Sequence, residues 1–372
     1  MKKRFAYLLT AVFILGAAPA PAHPESWRQA LPGYRYQFPR DNGAHEEFRT
    51  EWWYFSGNLQ DSEGGKYPFM LTFFRVGLRP GAPRKSKSRW ALRNLYFGHF
   101  SVLDAKREKH RFSERISRGE LEQAGASDKG LKVWLRDWRA ESTDGDGSSS
   151  FRISAAAPEM KLRLDLKPAK PLVIHGENGV SQKAPGPGRA SHYYSYTRLL
   201  ASGALEIEGR QLDVRGTAWM DHEFGSNQLT KEQVGWDWLS LQLSDGRDLM
   251  LYLMRRKDGS VEPTSSGTLV AADGSATHLR LGEFRFQGVD TWKSERSGGV
   301  YPMGWEVEVP AHGLRLRVEP YARAQEIESA GSTGITYWEG GVFADSISGD
   351  KKLSGVGFIE MTGYAHEGRP KF

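Results

Sequence analysis

The chain has 372 residues, with 51 Lys and Arg against 45 Asp and Glu, a formal charge of +6 and no cysteine. Missing thiols exclude a disulfide framework, a thiolate metal site, a thiol nucleophile and a lipoprotein anchor. Three of the positive charges, Lys2, Lys3 and Arg4, sit at the extreme N-terminus, and what remains is too weakly and evenly basic to point to nucleic acid.

Residues 1–22 read as an export signal: the basic triplet, an apolar run over 5–18, and Ala20-Pro21-Ala22 as a cleavage site. That run is short for a bilayer span, and no later stretch is apolar enough to replace it. The chain is therefore expected to be periplasmic, with no integral membrane segment after signal cleavage. The remaining length is ample for two domains.

Next, the run Glu51-Trp52-Trp53-Tyr54-Phe55-Ser56-Gly57-Asn58-Leu59 predicts a strand, followed by a turn over 61–65 and a second strand over 69–76. Its aromatic density predicts cover on both faces at the Glu51 end. The basic run 84–93 reads as a solvated loop. Short strands are expected over 96–103, 131–138, 151–155 and 161–166, with a brief helix possible only over 112–123. The Gly- and Pro-rich stretch 176–189 is a long loop, and such loops in compact domains are usually functional or disordered. A strand over 191–198 follows, then a hairpin through Ser202-Gly203 that returns along 216–225.

That return strand carries Trp219-Met220-Asp221-His222-Glu223-Phe224. Side-chain alternation places Trp219, Asp221 and Glu223 on one face and His222 on the other. An acid beside an indole is a candidate proton donor, and a buried ion-pair network would use the same residues. Glu51 and Asp221 could also form the carboxylate pair of a glycosidase, since their separation is not readable here. The segment Ala330-Gly331-Ser332-Thr333-Gly334 lacks the first glycine of a nucleophile elbow. Adjacent strand residues diverge, so Asp221-His222-Glu223 does not make a metal site, and neither a metal nor a cofactor is expected.

The second half restarts the first. Trp52 to Asp61 aligns with Trp236 to Asp245, 69–75 with 249–255, and 216–221 with 355–360, the last two each preceded by a Tyr-containing strand. The pattern predicts two copies of one β unit, 23–225 and 226–372, joined by a polar junction over 226–233. Further strands are expected near 267–272, 278–286, 304–310 and 314–320. The whole is an all-β chain of two antiparallel β-barrels in tandem, related by internal duplication.

The strings Phe48-Arg49-Thr50-Glu51-Trp52-Trp53-Tyr54-Phe55-Ser56-Gly57-Asn58-Leu59, Tyr193-Tyr194-Ser195-Tyr196, Trp219-Met220-Asp221-His222-Glu223-Phe224, Gly235-Trp236-Asp237-Trp238, Tyr337-Trp338-Glu339-Gly340 and Gly363-Tyr364 carry a resemblance. Together they resemble the AttH-like, carotenoid 1,2-hydratase-like family of secreted proteins, over essentially the whole mature chain. The resemblance implies lipocalin-like (calycin) barrels, a lipid or isoprenoid ligand, and association with an ABC transporter component. Under that reading Glu51, Trp52, Tyr54, Tyr196, His222, Glu223 and Trp236 line or support a binding site. The alternative is an enzyme of the hydratase, isomerase or hydrolase kind with Asp221 as acid; the hydratase branch implies that Asp221 protonates an alkene, Trp219 and Tyr194 or Tyr196 stabilise the cation, and water captures it. Burial would have to raise the pKa of Asp221 for that role. Hydratases of that branch act on intracellular membranes, whereas this chain opens with an export signal. Trp53 and Trp238 are expected to be packing residues.

Overall fold

The computed structural model describes residues 26–81, 92–119, 121–143, 150–347 and 352–365. The export signal, and the basic run up to residue 91, lie outside these residues.

Thirteen strands form the first sheet: β1 (Thr50–Gln60), β2 (Lys66–Gly77), β3 (Asn94–Asp104), β4 (Lys109–Arg118), β5 (Ala124–Ala126), β6 (Lys132–Leu135), β7 (Trp138–Ser142), β8 (Phe151–Ala157), β9 (Met160–Pro168), β10 (Val173–Ile174), β11 (Ser181–Gln182), β12 (Ala190–Ile207) and β13 (Arg210–Gly225). Ten form the second: β14 (Gln233–Leu243), β15 (Asp248–Arg256), β16 (Ser266–Val270), β17 (Ala276–Arg280), β18 (Arg285–Lys293), β19 (Val300–Val309), β20 (Leu314–Pro320), β21 (Glu326–Glu328), β22 (Thr336–Ser346) and β23 (Ser354–Thr362). The first sheet runs β4-β3-β2-β1-β13-β12-β9-β8-β7-β6-β5, and the second β17-β16-β15-β14-β23-β22-β20-β19-β18.

Each sheet curls around its own aromatic and aliphatic core as a lipocalin-like barrel. Trp53, Phe55, Phe69, Phe73 and Trp138 fill the first; Trp305, Trp338, Leu241 and Leu316 fill the second. Strand β9 shows the pattern that drives the curl: Met160, Leu162, Leu164 and Leu166 point inward while the intervening residues face water. Across the seam of the first barrel, Arg115 of β4 donates to Ala156 O at 2.8 Å, and Phe100 meets Trp138 edge-on at 5.8 Å.

Strands β1, β2, β13, β14 and β15 lack that alternation, because their outer faces are covered too. The two barrels stand back to back. Tyr54, Met70, Tyr193 and Trp219 of the first pack against Trp238, Met250, Tyr337 and Phe358 of the second. Gly341 marks how closely they approach, since a Cβ there would lie 2.3 Å from Pro68.

Register confirms the duplication residue by residue. Both sheets contain the order second strand, first strand, last strand, penultimate strand. Ser56 pairs with Trp219 and Tyr54 with Asp221; Ser240 pairs with Phe358 and Trp238 with Glu360. Ser195 opposes Asp221 as Glu339 opposes Glu360.

Four local expectations are corrected. Residues 112–123 are largely strand β4, not helix, because β4 is built by pairing with β3 rather than by local propensity. The turn expected at Ser202-Gly203 falls at Glu208-Gly209, whose φ values of 50° and 73° suit a two-residue hairpin. Gly203 instead lets β12 approach β9, where a Cβ would meet Arg163 O at 2.1 Å. The strands expected over 131–138 and 278–286 are each split, at Arg136 (φ 59°) and at Gly282 (φ 100°).

A buried ion cluster ties the barrels together. Asp248 of β15 accepts from Lys170 Nζ (2.7 Å), Thr197 Oγ1 (2.9 Å) and Arg198 Nη2 (2.6 Å), all from the first barrel. Asp248→Ala leaves two cations without their carboxylate. A loss of about 3–5 kcal/mol in urea denaturation is expected, against well under 1 kcal/mol for the exposed pair partner Asp165→Ala.

Candidate active site

Back-to-back packing leaves a cavity of about 410 Å³ between the barrels, walled by β1, β13 and β12 on one side and β14, β15, β22 and β23 on the other. Trp52, Tyr54, Phe74, Trp236, Trp238 and Tyr337 supply most of its rings, and Met254 and Ile335 extend the apolar wall. The site lies between the barrels, on the outer faces of both sheets.

Asp221 sits on this wall, 4% exposed. Its Oδ2 accepts from Tyr193 Oη at 2.8 Å, and its Oδ1 accepts from Trp219 Nε1 at 2.5 Å and from Ser195 Oγ. Burial pushes its pKa up to about 7 against these three donors, and the nearby Glu223 adds to the rise. Behind Ser195, His175 Nε2 lies 2.7 Å away and His175 Nδ1 lies 2.8 Å from Thr268 Oγ1 of the second barrel. Burial drives the pKa of His175 down to about 3, so this relay is neutral. Trp238 Nε1 donates to Tyr193 Oη at 3.2 Å, which orients the phenol toward Asp221.

Glu223 shares the face with Asp221, accepts from Ser191 Oγ and pairs with Lys183 Nζ at 3.1 Å. Burial works against the Lys183 ammonium, but Glu223 and Tyr252 hold its pKa above the ordinary value. Its nitrogen also lies 4.2 Å from the Tyr252 ring centroid and 5.0 Å from that of Tyr193. Lys183 belongs to the long loop over 176–189. The second barrel contributes Glu339 and the half-buried Glu360, whose Oε2 accepts from Trp236 Nε1 at 3.1 Å.

Alternation separates the expected site residues into two groups. Trp52, Tyr54, Trp219, Asp221, Glu223 and Trp236 face the space between the barrels. Tyr194, Tyr196 and His222 point the other way, into the first barrel, which corrects their assignment to a site with Asp221; Glu51 borders the cavity, but its carboxylate is taken up by His45, His222 and Arg75 on the barrel side. Tyr194 and Tyr196 belong to the barrel core, and the phenol beside Asp221 is Tyr193, one residue earlier. Glu51 and Asp221 therefore cannot act as a glycosidase pair. Trp53 is a core residue, as expected, but Trp238 lies against Tyr54 and Trp219 at the cavity rather than in a barrel interior.

The inward group forms a separate, closed network. His45 Nδ1 and His222 Nε2 lie 2.8 and 2.9 Å from Glu51 Oε1, and Arg75 Nε donates to Oε2 at 2.9 Å. Burial opposes the Glu51 charge, yet Arg75, His222 and His45 hold its pKa well below the ordinary value. Its His45, Glu51 and His222 atoms all lie within 4.8 Å, a spacing a metal could use. Each already serves a hydrogen bond, and Arg75 supplies the positive charge that a metal would bring. Ser332 of the imperfect elbow lies 2.9 Å from His99 Nε2, but its hydroxyl is committed to Glu114 of the first barrel.

Sequence reasoning missed Tyr193, Trp238, Lys183, Glu339 and Glu360 as cavity residues. The duplication carried a signal for two of them, since Trp238 and Glu360 align with Tyr54 and Asp221.

Curled antiparallel sheets enclosing an acid-lined aromatic cavity between them define a tandem lipocalin-like β protein. Residues 29–364 match the AttH-like family, and the chain belongs to it. A solved structure of a candidate AttH from Nitrosomonas europaea is 34% identical, superposes with a TM-score of 0.81, and covers 91% of this chain and 100% of that one. Kievitone hydratase from Nectria haematococca shares the fold at 15% identity, TM-score 0.68, over 93% of this chain and 98% of its own. The dehydratase asqC of Emericella nidulans is 21% identical over 278 residues, 70% of this chain and 75% of that protein.

Raising the pKa of Asp221 from 3.8 to about 7 costs native stability at neutral pH. Between those values the unfolded chain has released a proton that the native fold still holds, so this contribution falls as pH rises from about 4 to about 7. Asp221→Asn should therefore be more stable than the wild type at pH 8, by on the order of 1–3 kcal/mol. The advantage should vanish near pH 3.5; urea titrations at the two pH values check this.

Proposed function

We propose that this protein is an enzyme of the hydratase or dehydratase kind, acting on a hydrophobic substrate held between the barrels, with Asp221 as the acid. The observation that carries the reading is a carboxyl buried among aromatic rings, its pKa pushed up to about 7 by that burial, on the wall of a cavity large enough for a small organic molecule. The names of the kievitone hydratase and asqC dehydratase relatives support the same class. They weigh against a carrier that only retains its ligand or serves a transporter.

In the hydration direction Asp221 gives its proton to a substrate carbon, a positive centre develops on the neighbouring carbon, and water adds there and loses a proton. Dehydration runs the same steps in reverse. Trp219 and Tyr193 donate to the Asp221 carboxyl, so they hold it in place and stabilise the carboxylate left when the proton departs. The rings of Tyr54 and Trp238, 5.4 Å apart, face the developing cation. Residues 1–22 would direct this activity to the periplasm.

Incubating the purified protein with organic extracts of the native cell envelope should produce species that gain or lose one water by mass spectrometry. Asp221→Asn should slow that conversion by at least about 100-fold, and the wild-type rate should fall as pH rises through about 7. Extracts left unchanged by the wild type, with a lipid co-purifying intact, would return the protein to the carrier class.

A further inference from the structure

Across the cavity from Asp221, the second barrel presents an acid pair that the reaction above does not use. Glu339 of β22 and Glu360 of β23 are directly opposed in the sheet and both line the cavity. Like charges in that arrangement repel. Glu360 accepts one hydrogen bond, from Trp236. Glu339 is 2% exposed, and its Oε1 has no hydrogen-bond partner. The hydroxyl of Tyr54, 8% exposed on the same cavity, has none either; it interacts with Glu339 without a hydrogen bond of ordinary geometry.

The groups facing this pair do not supply a counter-charge. From the first barrel they are Asp221 and Glu223 of β13, Tyr54 of β1, Tyr193 of β12, and His99 of β3, which is hydrogen-bonded to Tyr337 at 2.7 Å; Arg49, Arg75 and Lys231 also line the cavity, but Arg75 is paired with Glu51, and among the described residues no cation forms an ion pair with Glu339 or Glu360. Burial drives the pKa of His99 down to about 3, so it is neutral. Lys183 carries a positive charge, but it is committed to Glu223. Three carboxyls, Asp221, Glu339 and Glu360, thus share an aromatic cavity, and among the described residues none of them has a cation in an ion pair. Burying such groups in charged form is costly: burial, with Asp221 and Glu223 nearby, pushes Glu360 up to about 7, and burial together with the neighbouring Glu360 raises Glu339 well above its ordinary value.

We infer that the cavity binds hydrophobic ammonium cations, with the positive head seated against Glu339 and Glu360 among the rings of Tyr54, Trp236 and Trp238. This goes beyond the hydration chemistry and does not depend on turnover. An anion would meet three acids there. A neutral hydrocarbon would leave Glu339 Oε1 without a partner. A quaternary or tertiary ammonium supplies the missing charge and is attracted by the ring faces, while its apolar part lies against Met254 and Ile335. On binding, the pair releases a proton to solvent, so affinity rises with pH.

Benzyltrimethylammonium, its uncharged carbon isostere neopentylbenzene and the anion phenylacetate provide the test, with tryptophan fluorescence and calorimetry as readouts. The cation should bind at least about tenfold more tightly than the isostere at pH 8. That preference should weaken at pH 6, and calorimetry in two buffers of different ionisation enthalpy should register proton release. Glu339→Gln and Glu360→Gln should each bring the cation close to the isostere while still binding the isostere. Asp221→Asn, which would stop the hydration chemistry, should keep most of the preference, so the two ideas can fail separately. Equal wild-type affinity for cation and isostere, or a preference independent of pH, overturns the inference even where a variant does not fold. So does an unchanged preference in folded Glu360→Gln.

Discussion

The structure depends on one constraint: two curled sheets bury their outer faces against each other, so every ionisable group in the seam must find a partner or give up its charge. Asp248 takes the first course, gathering Lys170 and Arg198 into a clamp between the barrels. Glu223 does so with Lys183. Asp221, Glu339 and Glu360 take the second course: burial pushes the pKa values of Asp221 and Glu360 up to about 7 and that of Glu339 well above its ordinary value. The raised pKa values of these acids are thus a consequence of how the barrels pack.

Duplication supplied the raw material for an asymmetric site. At equivalent register positions the first barrel places Tyr54, Ser195 and Asp221, and the second places Trp238, Glu339 and Glu360. The serine gives Asp221 a hydrogen-bond donor and links it to His175; the glutamate gives Glu360 a like-charged neighbour instead. One wall therefore holds a well-anchored Asp221 beside the Glu223–Lys183 pair, and the other a repelling pair of acids. A cavity inside either barrel could not combine the two, since both interiors are filled with packed side chains.

The Glu51 network shows the opposite solution to the same problem. At the end of the first barrel, Glu51 is surrounded by Arg75, His45 and His222, and Tyr194 extends the network to Asn42. Its carboxylate is bonded to Arg75, His45 and His222, which hold its pKa well below the ordinary value although the residue borders the cavity. Its neighbours in sequence, Trp52 and Tyr54, line the site because a strand turns successive side chains to opposite faces.

The all-β class, the Trp-rich hairpins, the repeat and the single face shared by Trp219, Asp221 and Glu223 were all legible in the chain, because period-two alternation and self-similarity are local properties. The identity of the phenol beside Asp221 was not: Tyr193 and Tyr194 are adjacent and chemically equal, and only strand register decides which one faces the acid. Nor could the amino-acid order say that the cavity lies between the barrels, or that Lys183, Glu339 and Glu360 reach it. Those facts arise from the packing of two outer faces far apart in sequence, which no local pattern records. Tertiary structure alone made three ordinary carboxyls share one cavity, and their burial there raises their pKa values.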